Sequence, residues 1–128
     1  MKLRIRGDNI RLRLKRGEVE QLAAGVSIVE KTHFPNGVLT FRLDMAGNKD
    51  VSASFDNDSI VVSVPESQVL EWASTEKVSL HVDQKLQGTG PLSLLIEKDF
   101  RCLEPGHHRE CDDDEDTFPH PSAKASGS

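Results

Sequence analysis

The side chains best suited to chemistry lie near the C-terminal end of the chain. Thiolates and imidazoles are the ligands that zinc prefers, and five such residues fall within nineteen positions: Cys102, His107, His108, Cys111 and His120. A structural zinc site normally contains short paired knuckles of the C-x2-C kind. Here eight residues separate the two cysteines, and the last histidine stands between two prolines. These residues are candidate metal ligands, but their spacing does not predict a site.

Cys102 could instead act as a thiol nucleophile, with His107 or His108 as its base. A cysteine becomes a nucleophile when a neighbour lowers its pKa and a third group orients the base. Proximity in sequence establishes neither condition, and the chain contains no nucleophile elbow and no H-E-x-x-H motif. We therefore expect a binding or regulatory module rather than an enzyme, and we predict no cofactor.

A basic hairpin at the start of the chain is the candidate binding site. Charged and apolar residues alternate on both sides of a Gly-Asp-Asn turn, which predicts one apolar face and one basic face. The cationic positions are Lys2, Arg4, Arg6, Arg11, Arg13 and Lys15. Such a face could bind an anionic ligand or an acidic protein surface. Alternatively, the charges serve only to protect a strand edge from aggregation.

Nucleic acid is not the partner that this pattern favours. The basic hairpin has no interleaved aromatic residues to stack bases and no glycine-rich phosphate loop. The formal net charge of −5 points the same way.

An acidic tail balances the basic hairpin at the other end of the chain. It comprises Glu110, Asp112, Asp113, Asp114, Glu115 and Asp116. The run lacks the alternating ligands and central glycine of a calcium loop. We predict that it lies over the basic hairpin and occludes it. Each surface ion pair contributes only ~0.5 kcal/mol and weakens with salt, but several pairs together could hold the tail in place.

The elements that carry these residues can be read from hydrophobic periodicity. After the hairpin, residues 18–24 have apolar side chains at helical spacing and stop at Gly25, which predicts a short helix. Strands are expected over residues 26–32 and 38–45, around a turn of Phe34, Pro35, Asn36 and Gly37.

The second half of the chain repeats this order. A shift of fifty positions superposes Asp8 on Asp58, Ile10 on Ile60, Val19 on Val69 and Leu22 on Trp72. We therefore predict an α+β fold of mostly antiparallel strands with two short helices. Two duplicated strand-strand-helix-strand-strand units would close as a barrel-like or sandwich core. Pro65 would open the second helix, and Trp72 would be its main core residue.

Length and composition indicate a single domain with a tail. The 128 residues suffice for one core. We assign residues 1–104 to the domain, with repeat units of about 1–46 and 51–98, residues 105–121 to an ordered tail and residues 122–128 to a disordered end. The start has no apolar signal region, and no later run approaches a membrane span. We expect a soluble cytoplasmic protein with no membrane partner, in which cysteines are free thiols or ligands.

Several pieces of the sequence resemble a family of small bacterial proteins known only as a domain of unknown function. They are the opening MKLRIRGDNIRLRLKRGEVEQL, Lys98-Asp99-Phe100, Cys102-Leu103 and Phe118-Pro119-His120-Pro121. The resemblance covers nearly the whole chain. It implies a bacterial, cytoplasmic protein and no particular activity.

Overall fold

A computed structural model describes residues 1–47 and 49–99 of the chain. They form two helices and eight strands. In chain order these are β1 (Lys2–Ile5), β2 (Asn9–Leu14), α1 (Arg16–Ala23), β3 (Ile28–Phe34), β4 (Gly37–Ala46), β5 (Ser52–Asp56), β6 (Ser59–Pro65), α2 (Glu66–Ser74), β7 (Ser79–Gln84) and β8 (Leu92–Lys98). The predicted α+β class of mostly antiparallel strands with two short helices is confirmed.

The strands form two sheets of four, with the orders β1-β2-β8-β7 and β3-β4-β6-β5. In each sheet two antiparallel hairpins meet through a parallel pair at the centre, β2 with β8 and β4 with β6. The predicted barrel-like closure is wrong: within residues 1–47 and 49–99 the sheets remain separate and no barrel closes. The reason is that the edge strands β5 and β7 belong to different sheets and share no strand pairing.

Each half of the chain supplies one hairpin to each sheet. The first half contributes β1 and β2 to one sheet and β3 and β4 to the other, and the second half does the same with its four strands. The two halves are therefore intertwined rather than stacked face to face. Because an isolated hairpin is only marginally stable, neither half can complete a sheet without the other.

Local sequence explains where the elements begin and end. The first helix starts at Arg16, two residues before the predicted start, and Gly25 after it has φ of +90°. That conformation favours glycine and separates the helix from β3. The turn between β3 and β4 consists of Pro35 and Asn36, since Phe34 pairs directly with Gly37. Between β5 and β6, Asn57 and Asp58 are the non-glycine residues with positive φ in the described ranges.

The core lies between the two sheets and the two helices. The helices contact each other, and each also contacts strands of both sheets. Val19 and Leu22 are the buried residues of α1, and Val69 and Trp72 are those of α2. Trp72 is the largest fully buried side chain, which confirms its predicted place in the core. Its indole Nε1 donates a hydrogen bond to the carbonyl oxygen of Val78, 3.0 Å away.

Polar contacts fix the borders of this core. The N-terminal ammonium of Met1 is ion-paired with Glu18 of α1 and, at 3.0 Å, with Glu30 of β3. On the opposite side, the Gln84 side chain of β7 binds the backbone of β5. Its Oε1 accepts from Ala53 N at 2.7 Å, and its Nε2 donates to Ala53 O at 3.1 Å. One amide thus joins the edges of the two sheets.

Neither helix in the described part of the chain is long and apolar enough to cross a membrane.

Replacing Trp72 should destabilise the fold strongly. We expect Trp72→Ala to lower the free energy of unfolding by about 3–5 kcal/mol, because it leaves a cavity at a fully buried position. The exposed neighbour on the same helix provides the control: Leu70→Ala should cost less than about 1 kcal/mol. Urea unfolding measures both. Equal losses for the two variants would contradict the central packing role of Trp72.

Removing the Gln84 amide should open the contact between the sheets. In Gln84→Leu we expect faster hydrogen exchange at the Ala53 amide, because its acceptor is lost, and a stability loss of about 1–3 kcal/mol. Gln87→Leu, in the exposed loop after β7, is the matched control and should leave the exchange rate of Ala53 unchanged. NMR-detected hydrogen exchange of the Ala53 backbone amide measures the effect. An unaltered rate in Gln84→Leu would show that the Gln84 side chain does not hold the edges of the two sheets together.

Candidate functional site

Four residues of the basic hairpin lie side by side on the outer face of their sheet. Lys2 is opposite Arg13, and Arg4 is opposite Arg11, in the antiparallel β1–β2 ladder. The alternate side chains of β2 point inward and are buried, so the cationic ones must face outward. Together with Leu3 the four line a surface cavity of about 310 Å³. We call Lys2, Arg4, Arg11 and Arg13 the basic face.

The other two predicted residues lie beyond this cavity. Arg6 follows β1 in the turn, where its backbone N donates to Asn9 O at 2.9 Å. Lys15 directly precedes α1, and its backbone N donates to Glu18 Oε1 at 2.9 Å. The structure therefore brings together four of the six cationic residues of the hairpin.

Two carboxylates accompany the basic face, and sequence reasoning missed both. Glu97 Oε1 lies 2.7 Å from Arg13 Nε and 3.5 Å from Arg11 Nε. Asp99 Oδ2 lies 3.6 Å from Lys2 Nζ. Glu97 belongs to β8, whose parallel pairing with β2 puts it directly beside Arg13. The alternation in LSLLIEK predicts that Glu97 points outward, but only the cross-strand register reveals its neighbour.

The charge of the basic face remains positive after these contacts. Within residues 1–47 and 49–99, its four cationic side chains are accompanied by two carboxylates, which corresponds to a formal excess of two positive charges. Arg4 is exposed and takes part in no ion pair within the described ranges. The Glu97 carboxylate fixes the two neighbouring guanidinium groups of β2, and Arg4 stands opposite one of them. The arrangement can bind an anion through guanidinium forks, which match carboxylate and phosphate geometry.

A hydrogen-bonded cluster of His81, Asp83 and Ser93 lies farther along the same sheet face. His81 Nε2 is 3.2 Å from Ser93 Oγ and 3.3 Å from Asp83 Oδ1. A serine nucleophile needs the base to use one ring nitrogen for serine and the other for the carboxylate. Here both partners meet the same nitrogen, and the His81 and Asp83 side chains are more than half exposed. The cluster therefore has hydrogen-bonding capacity but not the geometry of a catalytic triad.

The predicted metal and thiol candidates lie outside the described residues. This applies to Cys102, His107, His108, Cys111 and His120 and also to the acidic tail. Within residues 1–47 and 49–99, no group of three or more histidine, cysteine, aspartate or glutamate side chains could hold a metal ion. The metal and thiol hypotheses stay predictions.

Two residues of the resemblance motif have structural roles next to the basic face. Lys98 is buried, and its Nζ donates to the carbonyl oxygen of Thr75 at 2.8 Å. Thr75 is the C-cap of α2, where a positive charge is favourable. Asp99 is also buried, and its backbone N donates to Leu14 O at 2.9 Å. These contacts fix the end of β8 and thereby the position of Glu97.

Removing the Glu97 carboxylate should make the basic face more positive at a small cost in stability. We expect Glu97→Gln to lower the free energy of unfolding by about 1 kcal/mol, because Arg11 and Arg13 lose a partly buried partner. The loss should shrink as salt is added. Asp44→Asn removes the partner of Arg42 in the other sheet and is the control for one lost arginine pair. A larger loss of stability in Asp44→Asn than in Glu97→Gln would contradict the expectation that the Glu97 carboxylate stabilises two arginine side chains. Urea unfolding at two salt concentrations measures both effects.

Comparison with known proteins places this chain in a family without assigning an activity. No match was found among curated proteins or among solved structures. One family model, described as a family of unknown function, covers residues 1–122. That match spans both sheets, the basic face and most of the residues after Asp99. The chain therefore belongs to the family of unknown function DUF7009.

Proposed function

We propose that this protein is a non-catalytic binding or regulatory module. The basic hairpin, from Lys2 to Lys15, binds an anionic partner, and the acidic tail occludes that surface when the partner is absent. One observation carries the proposal: cationic side chains from two paired strands line one cavity and outnumber the acids beside them in the part of the chain that the structure describes.

An acidic protein segment fits this surface best. Successive outward residues of a strand are about 7 Å apart, and opposite residues of paired strands are about 5 Å apart. Lys2 and Arg4 follow the first spacing along β1, and each has an arginine opposite it on β2. An extended acidic segment presents alternate carboxylates at the same repeat along one side. Base stacking would favour large aromatic side chains, and the four described strands of the sheet that carries the basic face contain no Phe, Tyr or Trp.

The acidic tail has the chemistry of an intramolecular competitor. The described chain stops at Asp99, whose carboxylate is 3.6 Å from Lys2 on the basic face. The six acids of the tail begin at Glu110, eleven positions later. About 36 Å of extended chain therefore separates them from the basic face, enough to turn back over it. Because ion pairs at the surface are individually weak, an external partner with more carboxylates could displace the tail.

We also propose that the two halves arose by duplication. The carbonyl oxygens of Asp8 and Asp58, fifty positions apart, accept equivalent hydrogen bonds. Asp8 O accepts from Ser93 N at 2.9 Å and Asp58 O accepts from Thr40 N at 3.0 Å. Each bond extends the parallel strand pair of its own sheet. Under this proposal only the first copy acquired a basic outer face, which would be a later specialisation for binding.

Binding of a fluorescent oligoglutamate peptide tests the proposed function. Neutralising the tail with Asp112→Asn, Asp113→Asn and Asp114→Asn should tighten binding about tenfold, because three weak competing pairs are lost. Combining Arg4→Gln with Arg11→Gln should weaken binding by a similar factor, and added salt should weaken it for all variants. Fluorescence anisotropy measures the dissociation constants.

The control is Arg42→Gln, which removes an exposed arginine from the other sheet. It should leave oligoglutamate binding unchanged. Equal weakening by Arg42→Gln and by the Arg4 and Arg11 pair would mean that the peptide senses net charge and not the basic face. Undetectable binding by the tail-neutralised protein at low salt would refute the proposed function.

A further inference from the structure

An apolar cavity lies at one end of the second sheet, far from the basic face in sequence. Its volume is about 200 Å³, and it is lined by Phe34, Asn36, Gly37, Val38, Leu39, Phe55 and Asp58. Phe55 is 71% exposed and Phe34 is 53% exposed. Large exposed aromatic side chains grouped around a cavity mark an interaction site more often than single exposed apolar residues do.

The cavity lies at the end of the apolar side of the second sheet, past the residues of that side that are buried in the core. Strand register places Leu43 and Val62 side by side, and both are buried. Two residues farther along the same face, Phe41 lies beside Ile60 and Ile60 lies beside Phe55. Exposure rises along this direction, from full burial to an open ring. The strands are therefore patterned for burial over a longer distance than the described chain provides.

The last described residue is linked to the second sheet through a series of contacts. Asp99 is held by Leu14 O and by Lys2. Met1, which precedes Lys2, forms an ion pair with Glu30 at 3.0 Å. Glu30 lies opposite Phe41 in the β3–β4 ladder. These contacts link the last described residue to β3, the strand that ends at Phe34.

We propose that the segment Phe118-Pro119-His120-Pro121 of the same chain occupies the cavity. Eighteen residues separate Asp99 from Phe118, and that length can span about 60 Å. Phe118 supplies the aromatic ring that would pack between Phe34 and Phe55, and two prolines restrict the segment to an extended form. This inference rests on the proposed function only in using the same tail, to which it adds an apolar anchor.

The size of the exposed patch favours a short segment over a second copy of the chain. Phe34, Phe55 and Val38 together expose on the order of 300 Å² of side-chain surface. A stable protein dimer buries about 800 Å² on each partner. One phenyl ring and its flanking proline can cover a patch of this size. In a dimer, by contrast, most of the area buried on each protomer would have to be polar surface outside the patch.

Paramagnetic relaxation in the full-length protein tests this anchor. A nitroxide is attached through Ser122→Cys in a chain that also carries Cys102→Ser and Cys111→Ser. Amide signals of residues 36–39 and 55–58 should lose more than half of their intensity. The residues Ala46, Gly47 and Ser67 line another groove at the far end of β4, about 30 Å away. Their amide signals should be unaffected. Adding Phe118→Ser should restore the lost intensity.

Further samples separate the anchor from the occluding role of the acidic tail. The anchor is apolar, so broadening at residues 36–39 should persist at high salt and after Asp112→Asn, Asp113→Asn and Asp114→Asn. Broadening only around Arg4 and Arg11 would overturn the anchor and leave the proposed occlusion intact. Broadening that Phe118→Ser does not relieve would also overturn it. So would broadening that arises only between labelled and unlabelled molecules in a mixed sample, which would assign the cavity to a second copy.

Discussion

The parallel pairing of strands from opposite halves of the chain is the constraint on which the whole structure depends. Hairpins such as β1–β2 form between neighbouring residues, but β2 and β8 are joined across more than eighty positions. Such a contact becomes favourable only after a long loop has closed. It is nevertheless required, because an isolated hairpin exposes its apolar face and is unstable. Both sheets use the same solution, so the core forms only when the two halves combine.

The same pairing determines the electrostatics of the candidate site. Without β8, the outer side of the first hairpin would carry only like charges, which repel each other. The parallel register puts one carboxylate between two guanidinium groups and a second carboxylate beside Lys2. Among the described residues, the basic face is therefore partly compensated and keeps a formal positive excess in a fixed geometry. Such an excess is the property on which the proposed binding of an anionic partner rests.

The end of β8 contributes both to the packing of the core and to the charge of the basic face. Lys98 reaches inward to the C-cap of α2, whereas Asp99 binds back to β2 and β1. Both residues are buried, and burial of charged groups is tolerated only where partners are supplied. These contacts place Asp99, the last described residue, beside the basic face. Under the two proposals made above, the residues that follow Asp99 reach the charged surface of one sheet and the apolar end of the other.

Sequence periodicity alone determined the elements of this protein and the direction in which their side chains point. Alternation with period two predicted the basic and apolar sides of the first hairpin, and helical spacing predicted the burial of Trp72. These properties are local, because a side chain's orientation depends on its own strand or helix. Helix and strand ends were less well determined, since capping and turn geometry shifted them by about two residues.

Only the tertiary structure decided which residues meet. The carboxylate of Glu97 beside Arg13, the Gln84 amide on Ala53, and the aromatic cavity at Phe34 and Phe55 all join strands that are distant in sequence. The barrel-like closure predicted from the repeat was wrong for the same reason, because a repeat fixes the order of strands but not their partners. Cross-strand register is a collective result of packing the whole core, and a single sequence read locally does not contain it.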